Sequence, residues 1–217
     1  MKYFRTYHFP FSPGTTSDDR ISDNYDFLIG REIVISEKLD GQNNALTKNG
    51  VFARSHAVPT EHPWDKYLID EHKKMIIPED TIIYGESMYA IHSIEYKNLP
   101  SYYNIFSVLE EDTFLSWDDV KITSDIIGYP TVPVLFEGIL SSPEDLKKKV
   151  TELVSKTSVY NSYRNGVASN MEGVVVRLRE KFRVSNSDVS ILKWVCEKHV
   201  NTDDHWTRNW KKAKIIF

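Results

Sequence analysis

A chain of 217 residues, 41% hydrophobic and 12% aromatic, can close a sizeable core as one domain. Its 27 basic and 31 acidic side chains leave a net charge of −4, which argues against a surface coated by nucleic acid but permits a local basic cleft. Cys196 is the sole cysteine, which excludes an intrachain disulfide framework; no apolar run has membrane-spanning length and Met1–His8 lacks a signal-like apolar core, so a cytoplasmic protein without membrane contact is expected.

Residues 1–30 carry Pro10, Pro13, Gly14 and the polar run from Thr15 to Arg20, and read as ordered loop. Strands rich in Ile, Val, Tyr or Phe are expected over 32–38, 43–48, 81–89, 102–109, 132–138, 172–178 and 190–195. A helix over 65–76 places Tyr67, Leu68, His72 and Met75 at helical spacing, and a second opens at Ser116 and runs to Ile127. The third, 143–156, has Ser142 as cap, Pro143 at its first position and Glu144 and Asp145 at its positive end. Its apolar stripe is Leu146, Val150, Leu153 and Val154. Strands dominate and no βαβ rhythm appears, so the fold class is α+β on antiparallel sheets.

The chemistry concentrates at strand ends. In Glu37-Lys38-Leu39-Asp40-Gly41 a strand delivers a lysine to a tight turn with an acid two residues on. A deprotonated amine there can attack phosphorus while the acid helps to hold a metal; a surface lysine before a hairpin turn is the other reading. Glu172 opens the apolar run Val174-Val175-Val176, Glu86 ends Ile82-Ile83-Tyr84-Gly85, and Lys193 lies inside Ile191-Leu192-Lys193-Trp194-Val195. Charges in such places need a partner, a metal or an exposed strand end. Arg54 closes a short strand in the same manner.

Lys-x-Asp-Gly, an acid after a strand, Glu-Gly-x-Val-x-Arg and a strand lysine, in that order, resemble the covalent nucleotidyltransferases: ATP-dependent ligases and mRNA capping enzymes. Asn43, shortly after Gly41, and the strand Tyr103-Asn104-Ile105-Phe106-Ser107 are similar to the nick-sealing RNA ligases of the second phage type and their small bacterial relatives. Ser12-Pro13-Gly14 with Ser17-Asp18-Asp19, His92-Ser93-Ile94, and His199-Val200 with Asp204-His205-Trp206 look like the bacterial members too. The resemblance implies an antiparallel-sheet nucleotidyltransferase domain, the ATP-grasp-like adenylation domain of ligases, spanning 1–217. It implies an ATP-dependent RNA ligase joining a 3′-hydroxyl to a 5′-phosphate through a lysyl-AMP and an adenylated RNA end.

By the same resemblance Lys38 is the nucleophile, the backbone at Glu37 reads the adenine edge and Phe106 stacks on its face. Glu86 meets the ribose, Arg54 the ribose or phosphates, Lys193 the α-phosphate and Asn43 the RNA 5′-phosphate. Asp40, Glu86 and Glu172 hold Mg²⁺ or Mn²⁺, directly or through water. Arg54, Lys193 and the metal are expected to lower the Lys38 pKa. Two departures stand out. Val195 occupies the place of a second strand lysine, which Lys198 or the Lys211-Lys212 pair could replace. The stretch after Lys193 is too short for an OB-fold, so the basic tail 196–217, or a protein partner, is expected to stand in for a second domain. Within that tail Trp206 and Trp210 suggest a short docked helix that can be trimmed after Arg208 without loss of the fold. A nucleotide- or RNA-end-binding module without turnover, and a DNA ligase or capping-type enzyme, are the alternatives.

Overall fold

The computed structural model describes residues 3–54, 56–197, 207 and 209–216. Its strands in chain order are Tyr7–His8 (β1), Glu32–Lys38 (β2), Gln42–Thr47 (β3), Gly50–Ala53 (β4), Thr81–Ser87 (β5), Ala90–Ile91 (β6), Glu95–Tyr96 (β7) and Tyr103–Glu110 (β8). They continue as Thr113–Phe114 (β9), Val134–Ile139 (β10), Ser162–Arg164 (β11), Val167–Ala168 (β12), Gly173–Leu178 (β13), Phe182–Arg183 (β14), Ile191–Val195 (β15) and Lys211–Lys212 (β16). The helices are Lys66–His72 (α1), Trp117–Ile127 (α2) and Pro143–Val154 (α3).

Two larger sheets carry the fold. One has the order β1-β15-β13-β2-β10 and the other β14-β9-β8-β5-β3-β4. A three-stranded ribbon, β12-β11-β7, and the pair β16-β6 flank them. Alternation along the strands decides what each face meets. On β13, Val174, Val176 and Leu178 join Ile33 and Ile35 of β2 and Leu192 of β15 in a core cluster with the stripe of α3. Each such side chain contributes roughly 1.5–3 kcal/mol by leaving water. The intervening residues, Val175 and Arg177 on β13, Ile191 and Lys193 on β15, and Ser36 and Lys38 on β2, turn instead to a cavity facing the second sheet. These runs are apolar throughout because most of both faces are covered.

Local signals predict the helix ends well. Ser116 and Ser142 cap α2 and α3, each side chain accepting the amide three residues on, and α2 stops at Gly128 with φ 73°. The helix expected over 65–76 is shorter. It ends at His72, whose Nε2 lies 2.6 Å from the Thr47 carbonyl oxygen, and a turn of 3-10 helix, Pro63–Asp65, leads into it.

The ends of the chain depart from expectation. Within the presumed N-terminal loop, β1 pairs with β15 in parallel, His8 lying opposite Lys193. In the tail, Lys198, His199, Trp206 and Arg208 lie outside the described residues. The short helix expected at Trp206 and Trp210 falls largely on those residues; after it Lys211 and Lys212 form a strand against Ile91 and Ala90. Ala213 is buried, its carbonyl accepting the Tyr102 hydroxyl at 3.1 Å, and Lys212 Nζ sits over the Tyr89 and Tyr102 rings. Trimming after Arg208 therefore strips a strand from the core rather than a dispensable helix. Among the described residues no helix is long and apolar enough to cross a membrane.

Candidate active site

The turn at Leu39-Asp40-Gly41 is not a hairpin. It carries the chain from β2 in one large sheet to β3 in the other, so Lys38 stands where the two sheets meet. Gly41 is required by close approach: a Cβ there would lie 2.5 Å from the Ser87 carbonyl oxygen and 2.7 Å from Met88 Sδ. Its amide donates to Glu86 Oε1 at 3.1 Å, which couples the end of β5 to the turn. Register does the rest. Gly173 pairs with Lys38, so Glu172 arrives beside the lysine, and its Oε2 accepts from Lys38 Nζ at 2.7 Å. Asn43 on β3 lies opposite Glu86 on β5.

The cavity between the sheets has a volume of about 640 Å³. Seven of the sequence-predicted residues line it: Glu37, Lys38, Asn43, Arg54, Glu86, Phe106 and Lys193. Asp40 and Glu172 stand behind this lining. Phe106 is half-buried, with the Tyr3 ring edge-on at 5.3 Å, so it offers a face to the cavity and also packs on the core. The Glu37 side chain faces away on the alternate side of β2. Its Oε2 accepts the Val159 amide at 3.1 Å, and its own amide is committed to the Pro133 carbonyl oxygen. Only its backbone carbonyl is left to read a base edge.

Without ligand or metal, the electrostatics favour the protonated amine. Burial pushes the Lys38 pKa down, but Glu172 foremost, then Glu86 and Asp40, raise it above its ordinary value. In the ligand-free protein these carboxylates outweigh the neighbouring cations. Without ligand, Lys38 is held as an ammonium that cannot attack. The acids answer in kind. Burial first, and mutual repulsion after it, lift Glu37 and Asp40 to about 7 and Glu86 to about 8.

Each of these three acids holds its proton more tightly folded than unfolded. Their contribution to stability is complete below the ordinary carboxylate range and is lost as pH rises through about 7 to 8. The raised Lys38 and the lowered Asp19 titrate outside that window. We expect the melting temperature of the ligand-free protein to fall between about pH 5 and pH 8, by a free energy on the order of several kcal/mol at about 1.4 per pKa unit. Glu86→Gln should flatten that fall. A flat wild-type profile would contradict the raised values.

A divalent metal fits this site only as a shared guest. Among the described residues no group of three or more His, Cys, Asp or Glu is arranged to hold a metal ion. Asp40 Oδ2 accepts the amides of Ser93 and Ile94 at 2.8 Å each. That clamp accounts for the His92-Ser93-Ile94 motif. Glu86 Oε1 accepts from the Gly41 amide and Glu172 Oε2 from Lys38, so each of the three acids has one oxygen engaged; one or two carboxylates suffice for Mg²⁺ when substrate phosphates and water complete its shell.

Several cavity residues escape sequence reasoning. Tyr3 and Phe4 line the cavity from a segment read as loop. Asp19 accepts from Lys193 Nζ at 3.2 Å, and only its place in the Ser17-Asp18-Asp19 motif signals it. Arg177 is 2% exposed, its guanidinium 5.2 Å from the Phe182 ring centroid and 5.8 Å from that of Trp117. Its Nη2 donates to the Leu115 carbonyl oxygen at 2.6 Å; burial lowers its pKa to about 10, so it stays charged at neutral pH.

Comparison with known proteins adds a family. The sequence profile of the family described as RNA ligase matches residues 31–195. Two forms of an archaeal ATP-dependent RNA ligase share the fold, with TM-scores of 0.55 and 0.56 at 13% and 12% identity. A Naegleria gruberi RNA ligase solved with PPi gives a TM-score of 0.52 at 13% identity. Each alignment covers 90% of this chain, but only 48% of the archaeal chains and 59% of the Naegleria chain. The chain thus spans about half the length of the archaeal structures. No curated protein matches it in sequence.

Proposed function

The chain belongs to the RNA ligase family, and from that premise we propose that it is an ATP-dependent RNA ligase acting through a lysyl-AMP. One observation carries the reading: Lys38 Nζ lies 2.7 Å from Glu172 Oε2 at a cavity that Arg54, Glu86, Phe106 and Lys193 also line. In this reading Phe106 stacks on adenine, the Glu37 carbonyl accepts from its amino edge, and Glu86 meets the ribose. Arg54 and Lys193 face the phosphates and spread the charge that develops on them. Mg²⁺ or Mn²⁺ held by Asp40, Glu86 and Glu172, directly or through water, together with the phosphates would neutralise oxygen charge. ATP and metal also accompany a related fold, a mutant Naegleria gruberi RNA ligase with ATP and Mn.

The first step forms a bond from Lys38 Nζ to the α-phosphorus as the bond to pyrophosphate breaks. The attacking nitrogen must shed a proton, and Glu172 Oε2, already against that ammonium, is placed to take it. Carboxylates drawn onto a divalent cation shared with the phosphates would hold the Lys38 proton less tightly, which would favour release of the lone pair. Asn43 then receives the RNA 5′-phosphate, whose oxygen attacks the adenylate phosphorus as the bond to Lys38 Nζ breaks; a 3′-hydroxyl then attacks the 5′-phosphorus and displaces AMP. RNA ends are the proposed substrate, and the cytoplasm is the proposed setting.

Incubation with ATP and Mg²⁺, followed by peptide mass analysis, should find AMP on Lys38, and a nicked duplex with an RNA 5′-phosphate should be sealed. Retention of GMP from GTP instead would make it a capping-type enzyme; no adduct from either nucleotide would leave a binding module. Phe106→Ala should weaken ATP binding by roughly 1–3 kcal/mol, as lost base stacking does, and Phe106→Tyr should recover part of it. If Phe106→Ala lowers only the melting temperature and leaves nucleotide affinity intact, the ring is core and not platform.

A further inference from the structure

The family match begins at residue 31, yet the segment before it reaches the phosphate end of the cavity. After β1 runs beside β15, the chain doubles back and returns Asp19 to the same strand. Asp19 Oδ1 accepts from Lys193 Nζ at 3.2 Å and lies 3.2 Å from His8 Nε2. Its Oδ2 accepts from the Thr16 amide at 3.1 Å and the Thr16 hydroxyl at 3.0 Å. His8 is buried, its Nδ1 2.9 Å from Ser12 Oγ, which in turn accepts the Val195 amide at 3.0 Å. The Phe9 and Gly14 amides donate to the carbonyl oxygens of Lys193 and Val195. Asp19 is therefore gripped by its own segment, and the segment is stitched to β15. A fixed carboxylate against a long flexible ammonium orders the ammonium, not the reverse.

We propose that Asp19 is the positioning residue for Lys193, occupying one of its three N–H donors so that the other two are presented to phosphate. This rests on the reading that Lys193 meets the nucleotide phosphates. The groups facing Lys193 are Asp19, His8, Lys38 and Arg54. Burial lowers the Lys193 pKa, Asp19 opposes that, and Lys38 and Arg54 add to it. Asp19 thus also keeps the ammonium charged among cations.

The test compares ATP with adenosine, which lacks phosphates, on Asp19→Asn, Asp19→Glu and Lys193→Ala in the full chain. Asp19→Asn should weaken ATP binding by roughly tenfold or more, the range of one charge-assisted hydrogen bond, and leave adenosine binding unchanged. The ATP defect should deepen as pH rises, because a Lys193 without Asp19 gives up its proton first. Asp19→Glu should restore part of the affinity. If Lys193→Ala weakens ATP binding but Asp19→Asn does not, the positioning role is wrong and the phosphate role of Lys193 stands. If Lys193→Ala itself leaves ATP binding intact, the underlying reading fails. Equal losses for ATP and adenosine in Asp19→Asn, with a lowered melting temperature, would reduce Asp19 to a structural tie.

Discussion

Lys38→Ala should abolish covalent labelling by ATP and the sealing of a 5′-phosphorylated RNA nick, a loss on the order of 10⁴-fold or more. No other group at the cavity can take over. Arg54 offers only a delocalised guanidinium, a poor nucleophile. Lys193 is tied to Asp19 on β15, two strands away from β2. The fold should survive, because Lys38 contributes an ammonium at a cavity wall and no apolar core. Glu86 and Asp40 would lose their main neutralising neighbour, so the ligand-free variant should bind protons more tightly still. Joining of a pre-adenylated nick should persist, since that step uses AMP only as leaving group. A covalent adenylate on Lys38→Ala, or full sealing by it, would falsify the assignment of the nucleophile.

Glu172→Ala should depress self-adenylylation by roughly 10²–10³-fold while the protein stays folded. Two effects on stability oppose each other. Glu172 is 3% exposed and pairs with Lys38, so its removal leaves an ammonium short of its nearest partner. Yet Glu172 also raises the pKa of Glu37, Asp40 and Glu86, so its removal relieves repulsion among buried acids. The melting temperature should therefore change little. The metal concentration for half-maximal rate should rise, because one of the proposed metal carboxylates is gone. Lys38 also loses the strongest influence raising its pKa, so the residual rate should reach its plateau at lower pH. A metal titration identical to wild type would remove Glu172 from the metal site, and an unmoved pH profile would remove it as the partner that sets Lys38.

Local rules made much of this molecule legible before any fold was known. Alternation and β-branched runs located the longer strands of the two large sheets, β2, β3, β5, β8, β10, β13 and β15, to within about two residues, but not the short strands β1, β9 and β14. Ser116, Ser142 and Pro143 marked helix starts because a cap acts on amides within a single turn. The order of the short motifs around Lys38, Glu86, Glu172 and Lys193 pointed to nucleotidyl transfer, because side-chain type at strand ends restricts chemistry even without geometry.

Tertiary structure decided what depends on distance. Whether Asp40-Gly41 closed a hairpin or joined two sheets could not be read from a turn dipeptide that serves either purpose. The charge state of the ligand-free Lys38 is set foremost by Glu172, 134 residues away in sequence and 2.7 Å away in space. Coulomb energy follows the second separation and ignores the first. Asp19 and Lys193, 174 residues apart, meet only because β1 runs parallel beside β15. Lys211 and Lys212 form a strand because an edge at Ala90–Ile91 offers them backbone partners that no local propensity reveals. Composition and periodicity act over a few residues and were sufficient for elements and chemistry. Proton affinities, sheet membership and the partner that aims a lysine arise from contacts that exist only once the chain has closed.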